Sequence, residues 1–233
     1  MREIDTWIFD LDNTLYPASL GLVGQINARM TGFLMRKLDL DRAAADAYRH
    51  RTWVSHGITL RALVEEHGVD AAAFLAETHD IDYGPLVPNP ALTRAIAALP
   101  GRKLVHTNGA RVHAERVLAR LGLGSAIEAV WAIEDAGLMP KPMAAAHQSF
   151  VEIHGIEPTR AAMLEDSAAN LAVPKEMGMA TILIGDGTPP AHVDRIAPGI
   201  MDFLAEAQSS TLPITDGAWT GRGSTREANS STD

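Results

Sequence analysis

"TWIFDLDNTLYP", residues 6–17, decides how the rest of the chain is read. Its first part contains the apolar run Trp7-Ile8-Phe9, and two carboxylates, Asp10 and Asp12, follow one residue apart. A continuous apolar run without polar alternation suits a strand covered on both faces, as in a parallel sheet. Ionised carboxylates are costly to bury unless they are paired, hydrogen-bonded or bound to a metal. The stretch therefore predicts a buried strand that delivers two acids to a place where something meets them.

Working outward, four further runs have the same character: "KLVHTNG" at 103–109, "AVWAIED" at 129–135, "AAMLEDS" at 161–167 and "ATILIGDG" at 180–187. Helical patterns lie between them. "RVHAERVLARLG" (111–122) places Val112, Val117, Leu118 and Leu121 at helical spacing before Gly122, and "PMAAAHQSFVEIHG" (142–155) opens on proline and closes on glycine. Alternating strand and helix predicts an α/β fold with a Rossmann-like, doubly wound parallel sheet as its core.

One segment breaks the rhythm. Residues 17–88 contain no convincing strand, but four helical patterns, at 22–38, 41–57, 59–68 and 70–80, two of them closed by His-Gly. They read as an all-helical cap inserted after the first strand. "DYGPLVPNP" (82–90), with its three prolines, reads as the return linker. The core is then 1–16 and 89–205. Residues 206–233 are rich in Ser, Thr, Gly and Asp and read as a disordered tail, with Trp219 docking locally.

Composition narrows the function. A hydrophobic content of 46% with 5% aromatics is ordinary for an aliphatic α/β core, and 233 residues suffice for a core plus an inserted domain. A formal net charge of −9 argues against nucleic-acid polymers and anionic membrane surfaces as partners. No cysteine is present, which rules out thiol catalysis and thiolate metal sites. Without a long apolar segment the chain reads as a soluble cytoplasmic protein.

In an open parallel sheet, function sits beyond the carboxyl ends of the strands. There the chain places Asp10 and Asp12; Thr107, Asn108 and Gly109; Glu165, Asp166 and, a turn later, Asn170; and Lys141 before a helix. Asp10, Asp12 and Asp166 supply hard oxygen ligands that suit Mg²⁺ in a site completed by waters and a phosphate. A carboxylate beside Mg²⁺ can attack phosphorus, and a second acid can protonate the leaving oxygen and later activate water. Thr107 and Asn108 can donate to phosphoryl oxygens, and Lys141 can offset their charge. Each feature alone is unremarkable: a turn, a helix cap, a surface lysine. Their order and common placement after strands make them a set.

"DLDNT" (10–14), "TNG" (107–109), "KP" (141–142) and "EDSAAN" (165–170) together resemble the four ordered motifs of the haloacid dehalogenase-like hydrolase superfamily, over about residues 6–185. The resemblance implies Mg²⁺-dependent phosphatase chemistry under a helical cap. By it, Asp10 is the nucleophile and a Mg²⁺ ligand, and Asp12 the general acid/base with its backbone carbonyl on the metal. Thr107, Asn108 and Gly109 bind phosphate, Lys141 stabilises it, and Asp166 binds Mg²⁺. Glu165 either shares the metal or supports its ligands, and Asn170 orients Lys141 or its loop. The dehalogenases of the superfamily lack an acid two residues after the nucleophile, so Asp12 favours phosphoester hydrolysis.

"FDLDNTLYP" and "MLEDSAANL" (163–171), with the cap strings at 56–68 and 74–92, resemble the pyrimidine 5′-nucleotidase branch. That implies UMP or CMP as substrate. The alternatives are phosphoglycolate, a sugar phosphate, a phosphosugar mutase, or a catalytically silent relative that binds phosphate ligands. Substrate choice is expected from the cap and its junction, with Arg51, His56, Thr59 and Tyr16 as candidates. Pro174 interrupts the helix expected after Asn170, at a usual cost of about 3 kcal/mol.

Overall fold

A computed structural model describes residues 4–209. Six parallel strands form one sheet: β1 Thr6–Phe9, β2 Arg102–His106, β3 Ala129–Trp131, β4 Ala161–Glu165, β5 Ala180–Ile184 and β6 Arg195–Ala197. Their order across the sheet is β3-β2-β1-β4-β5-β6. The chain builds outward from β1 on one side, then crosses back to build outward on the other. The β1/β4 boundary is therefore the topological switch point, where a crevice opens at the strands' carboxyl ends.

The apolar strand runs have a simple cause: side chains alternate between two packed faces. Trp7, Phe9, Val105, Leu164, Ile182 and Ile184 join one core. Ile8, Leu104, Met163 and Leu183 join the other. The helices α5 Pro90–Ala97, α6 Arg111–Leu121 and α9 Ile200–Ser209 cover the first face. On the second lies α7 Ala144–His154, which contributes Phe150. Strand β1 stops just before Asp10, and β2 and β4 end on His106 and Glu165, so the chemistry lies at the carboxyl edge of the sheet.

Between β1 and β2 the cap consists of α1 Leu22–Leu38, α2 Arg42–His56, α3 Thr59–His67 and α4 Ala71–Thr78. The four expected patterns are all helices, and Gly57 and Gly68 cap the two that end in His. The cap has its own apolar centre around Leu34, Leu63 and Phe74, and it shares that centre with Ala110 and Ile133 of the core. Gly57 sits at this seam with φ +79, and a Cβ there would lie 2.6 Å from Pro140 Cγ. The return linker is not a loose tether, because Tyr83 and Leu86 are buried in the core.

Several details differ from the sequence reading. Strand β6 and helix α9 were not foreseen; β6 has only three residues, two of them half-buried, so its pattern is weak. Helix α9 runs to Ser209, past the expected start of the tail at 206, and 210–233, with Trp219, lie outside the described residues. Val112 is 39% exposed, and His113 takes the inward position instead. Pro174 breaks nothing: a 3-10 turn, Ala168–Leu171, comes first, and Pro174 falls in the first turn of the short helix α8 Ala172–Glu176. An amide there has no intrahelical partner to lose.

The seam yields a prediction. Gly57→Ala adds both an unfavourable left-handed backbone and a clash with Pro140, so it should destabilise the protein by about 1–3 kcal/mol. Urea unfolding monitored by circular dichroism measures this, and an unchanged midpoint would mean that the cap does not bear on Pro140.

Candidate active site

The register explains why the acids meet. Phe9 pairs with both Val105 and Leu164, so Asp10, His106 and Glu165 leave the sheet side by side at the switch point. Asp10 extends the pairing by one bond, its N–H donating to Leu164 O at 2.9 Å. The chain then turns at Asn13, whose φ of 62 lies in the left-handed region that asparagine tolerates. That turn brings Asn13 Nδ2 to 3.1 Å from Asp166 Oδ2 and carries Asp12 into the same cavity as Asp10.

Lys141 is the pivot. It is 2% exposed, and its ammonium donates to Asp10 Oδ1 at 2.7 Å, Glu165 Oε1 at 2.7 Å and His106 O at 2.6 Å. Those three bonds use all three ammonium hydrogens. A direct bond from Lys141 to a phosphoryl oxygen therefore requires exchange of one of them; as it stands, Lys141 acts through its charge on Asp10. Burial opposes the charged form, but the two carboxylates outweigh it and raise the Lys141 pKa. Its backbone is clasped by Asn108, which accepts from Lys141 N at 2.8 Å and donates to Lys141 O at 3.0 Å. Asn108 thus spends most of its amide on the lysine loop, leaving one amide hydrogen for a ligand. Thr107 Oγ1 accepts from Gly109 N at 2.9 Å, so its hydroxyl hydrogen remains available.

Glu165 is fully buried and fully used. Oε1 accepts from Lys141 and from Asn170 Nδ2 at 2.7 Å, and Oε2 accepts from Ser167 N at 2.9 Å. It supports Lys141 rather than offering a free oxygen, and Asn170 reaches the lysine through it. Asp10 and Asp166 are left with oxygens to offer. Among the described residues, Asp10, Glu165 and Asp166 are the acidic group that can bring ligand atoms within 4.8 Å of one another. Burial, then the Glu165 charge, push the Asp10 carboxyl well up and Asp166 to about 6. Crowded hard oxygens short of positive charge are the donor set a small divalent cation fits.

Asp12 has different neighbours. Burial would raise its pKa, but hydrogen bonds from His113 and Tyr16 outweigh it and hold the carboxyl below its ordinary range. His113 Nε2 is 2.7 Å from Oδ1, and Tyr16 OH donates to the same oxygen. His113 is fully buried, and its Nδ1 lies 2.9 Å from Tyr83 OH, which also reaches His79 O at 2.9 Å, where the cap ends. Gly109 leaves room for this arrangement: a Cβ there would come within 3.4 Å of Asp12 Oδ2 and 3.3 Å of His113 Cδ2.

Asp10, Asp12, Thr107, Asn108, Gly109, Lys141, Glu165, Asp166 and Asn170 all line one cavity of about 550 Å³. Of the cap candidates, only Thr59 lies in it. Tyr16 is buried behind Asp12 instead. Arg51 lies over the Tyr48 ring, 5.0 Å from its centroid, and His56 faces Glu65 and Glu66, each at 3.8 Å. Neither is part of the lining, because the inward face of α2 carries Asp46, Arg49, His50 and Trp53. Helical spacing alone could have grouped these four; which face turned inward was not written in it. His113 and Tyr83 carried no signal beyond being polar residues within apolar patterns.

The chain belongs to the haloacid dehalogenase-like hydrolase family, whose model matches residues 4–178. Among solved structures it is similar to a HAD phosphatase from Thermococcus onnurineus, with a TM-score of 0.59 and 19% identity over 88% of this chain and 97% of that one. An L-2-haloacid dehalogenase from Xanthobacter autotrophicus with chloropropionic acid covalently bound gives 0.57 and 16% over 88% and 98%. The Bacillus subtilis protein YfnB, solved with bound magnesium, gives 0.55 and 16% over 89% and 98%. Identities this low speak to the fold alone, and the fold is common to a phosphatase and a dehalogenase.

The buried charge triad makes a prediction. Lys141→Met leaves two buried carboxylates without their cation and should cost about 3–5 kcal/mol of stability. Adding Glu165→Gln should recover part of the loss. Denaturant titration of the single and double variants checks this; additive losses would contradict the coupling.

Proposed function

We propose that this protein is a Mg²⁺-dependent phosphomonoester hydrolase that works through an aspartyl-phosphate on Asp10, with pyrimidine nucleoside 5′-monophosphates as its substrates. The observation that carries the reading is Asp12. It stands two residues after the nucleophile, lines the same cavity, and is held by His113 and Tyr16. A halide leaves without needing a proton, so a dehalogenase has no use for an acid there. An alkoxide leaving from phosphorus does need one.

The residues divide the work accordingly. Asp10 Oδ attacks phosphorus, and the ester P–O bond breaks as Asp12 gives its proton to the departing oxygen. Asp12 then takes a proton from water as that water attacks the aspartyl-phosphate, which releases phosphate and regenerates Asp10. Lys141, anchored by Glu165 and Asn170, favours the ionised, reactive form of Asp10. Thr107 and Asn108 donate to the phosphoryl oxygens. Mg²⁺ would be held by the Asp10 and Asp166 carboxylates and the Asp12 backbone carbonyl, and when bound it offsets charge on the phosphoryl group. The nucleotide preference is supported by the likeness of "FDLDNTLYP", "MLEDSAANL" and the cap strings to the pyrimidine 5′-nucleotidases.

Purified protein should hydrolyse UMP and an aryl phosphate with Mg²⁺ and neither with EDTA. Asp12→Asn should lower kcat on UMP by about 10²- to 10⁴-fold. The loss should be smaller on the aryl phosphate, whose leaving group needs little protonation. Turnover of UMP by Asp12→Asn at the native rate would contradict the acid–base assignment, and release of halide from a haloacid in place of phosphate release would contradict the reading as a whole.

A further inference from the structure

The cap forms the ceiling of the cavity with residues from all four of its helices, and the part that α2 contributes is one polar and aromatic stripe. Asp46, Arg49, His50 and Trp53 fall at i, i+3, i+4 and i+7 on α2, the spacing of a single helix face. Two properties of this stripe bear on what leaves from phosphorus.

The first is charge. Lys141 and Arg49 are the lysine and arginine in the lining, and both are committed. Arg49 Nη1 donates to Thr31 Oγ1 at 3.1 Å and to Asp46 Oδ1 at 3.3 Å, and Thr31 Oγ1 donates to the same Asp46 oxygen at 2.6 Å. The ceiling thus presents a neutralised pair, with spare guanidinium donors beside carboxylate acceptors. An anionic leaving group, such as a carboxylate, would meet the Asp46 carboxylate beside Arg49, with Arg42 Nε 3.9 Å from Asp46 on its other side. A neutral group with a donor–acceptor edge meets both without breaking the pair.

The second is shape. Trp53 is 64% exposed although it lines the cavity, and His50 beside it is also exposed, their ring centroids 6.5 Å apart. Large rings held half in solvent at a cavity mouth offer planar faces to a ligand.

We propose that this stripe is the leaving-group subsite, and that it takes a neutral, planar heteroaromatic ring with a donor–acceptor edge, a nucleobase. The ring lies against Trp53 and His50, and its edge meets the Arg49–Asp46 pair. Trp53 and Arg49 are then specificity-determining residues. The inference rests on the phosphomonoesterase reading and assigns its nucleotide preference to named cap residues, which favour a nucleobase over the carboxylate of a small carboxylated phosphate.

The test compares native protein, Trp53→Ala and Trp53→Phe on UMP and on phosphoglycolate. Base–aromatic stacking predicts that Trp53→Ala lowers kcat/KM for UMP about tenfold, mostly through KM. Phosphoglycolate turnover should be unchanged, and Trp53→Phe should retain most of the UMP activity. Uridine alone, which carries no phosphate, should quench the tryptophan fluorescence of the native protein but not of Trp53→Ala. Equal effects of Trp53→Ala on both substrates, a quench that survives it, or a native preference for phosphoglycolate over UMP would overturn the subsite and leave the phosphatase reading intact. Failure of the native protein to hydrolyse either substrate with Mg²⁺ would overturn both.

Discussion

The structure depends on one electrostatic arrangement: the Lys141 ammonium buried between Asp10 and Glu165 at the carboxyl end of a parallel sheet. Two carboxylates cannot be placed side by side in a closed core without a compensating cation. Lys141 supplies it with all three hydrogens engaged. The remaining parts of the site then have somewhere to stand. Asn108 fixes the backbone of Lys141, Asn170 and Ser167 complete Glu165, and Asp10 Oδ2 accepts from Thr14 Oγ1 at 3.3 Å, which leaves it a lone pair for a ligand.

The sheet makes that arrangement possible. Because β1 lies between β2 and β4, the residues after Phe9, Val105 and Leu164 converge without any long loop. Asp12, two residues beyond Asp10, escapes the triad by the left-handed turn at Asn13 and acquires a separate set of partners in Tyr16 and His113. Two acids that are near neighbours in the chain thus occupy distinct environments: one crowded by carboxylates and raised, the other held low by donors. The two acids are therefore not interchangeable, Asp10 being bonded to the Lys141 ammonium and Asp12 to His113 and Tyr16. The His113–Tyr83 link also joins the acid to the end of the cap.

Much of this was legible before the fold was known, and the reason is physical. Strands buried on both faces write themselves as apolar runs, and the residues that follow them must lie at one sheet edge. The identities of Asp10, Thr107, Glu165 and Asp166 as edge residues followed from that alone. The four cap helices were legible because their glycine and aspartate caps, such as Gly57, Gly68 and Asp70, sit where the patterns end. Orientation was not legible. Arg51 and Arg49 are two residues apart on one helix, and only packing against α1 and α3 decides that Arg49 faces inward. Likewise His113 rather than Val112 turns into the core, because Asp12 and Tyr83 offer it partners that a valine could not use. The edge strand β6 was missed because it is short and half-covered, so it carries no run.

The central claim is that Asp10 becomes covalently phosphorylated during turnover. Rapid-quench mass spectrometry of the Mg²⁺-loaded protein, mixed with a phosphomonoester and stopped in acid within the first turnover, tests it directly. The account predicts one phosphoryl group on the peptide spanning residues 6–17, located at Asp10 and absent from the Asp10→Asn variant. Turnover with no protein-bound phosphate in that window, or with the phosphoryl group on any other residue, would contradict it.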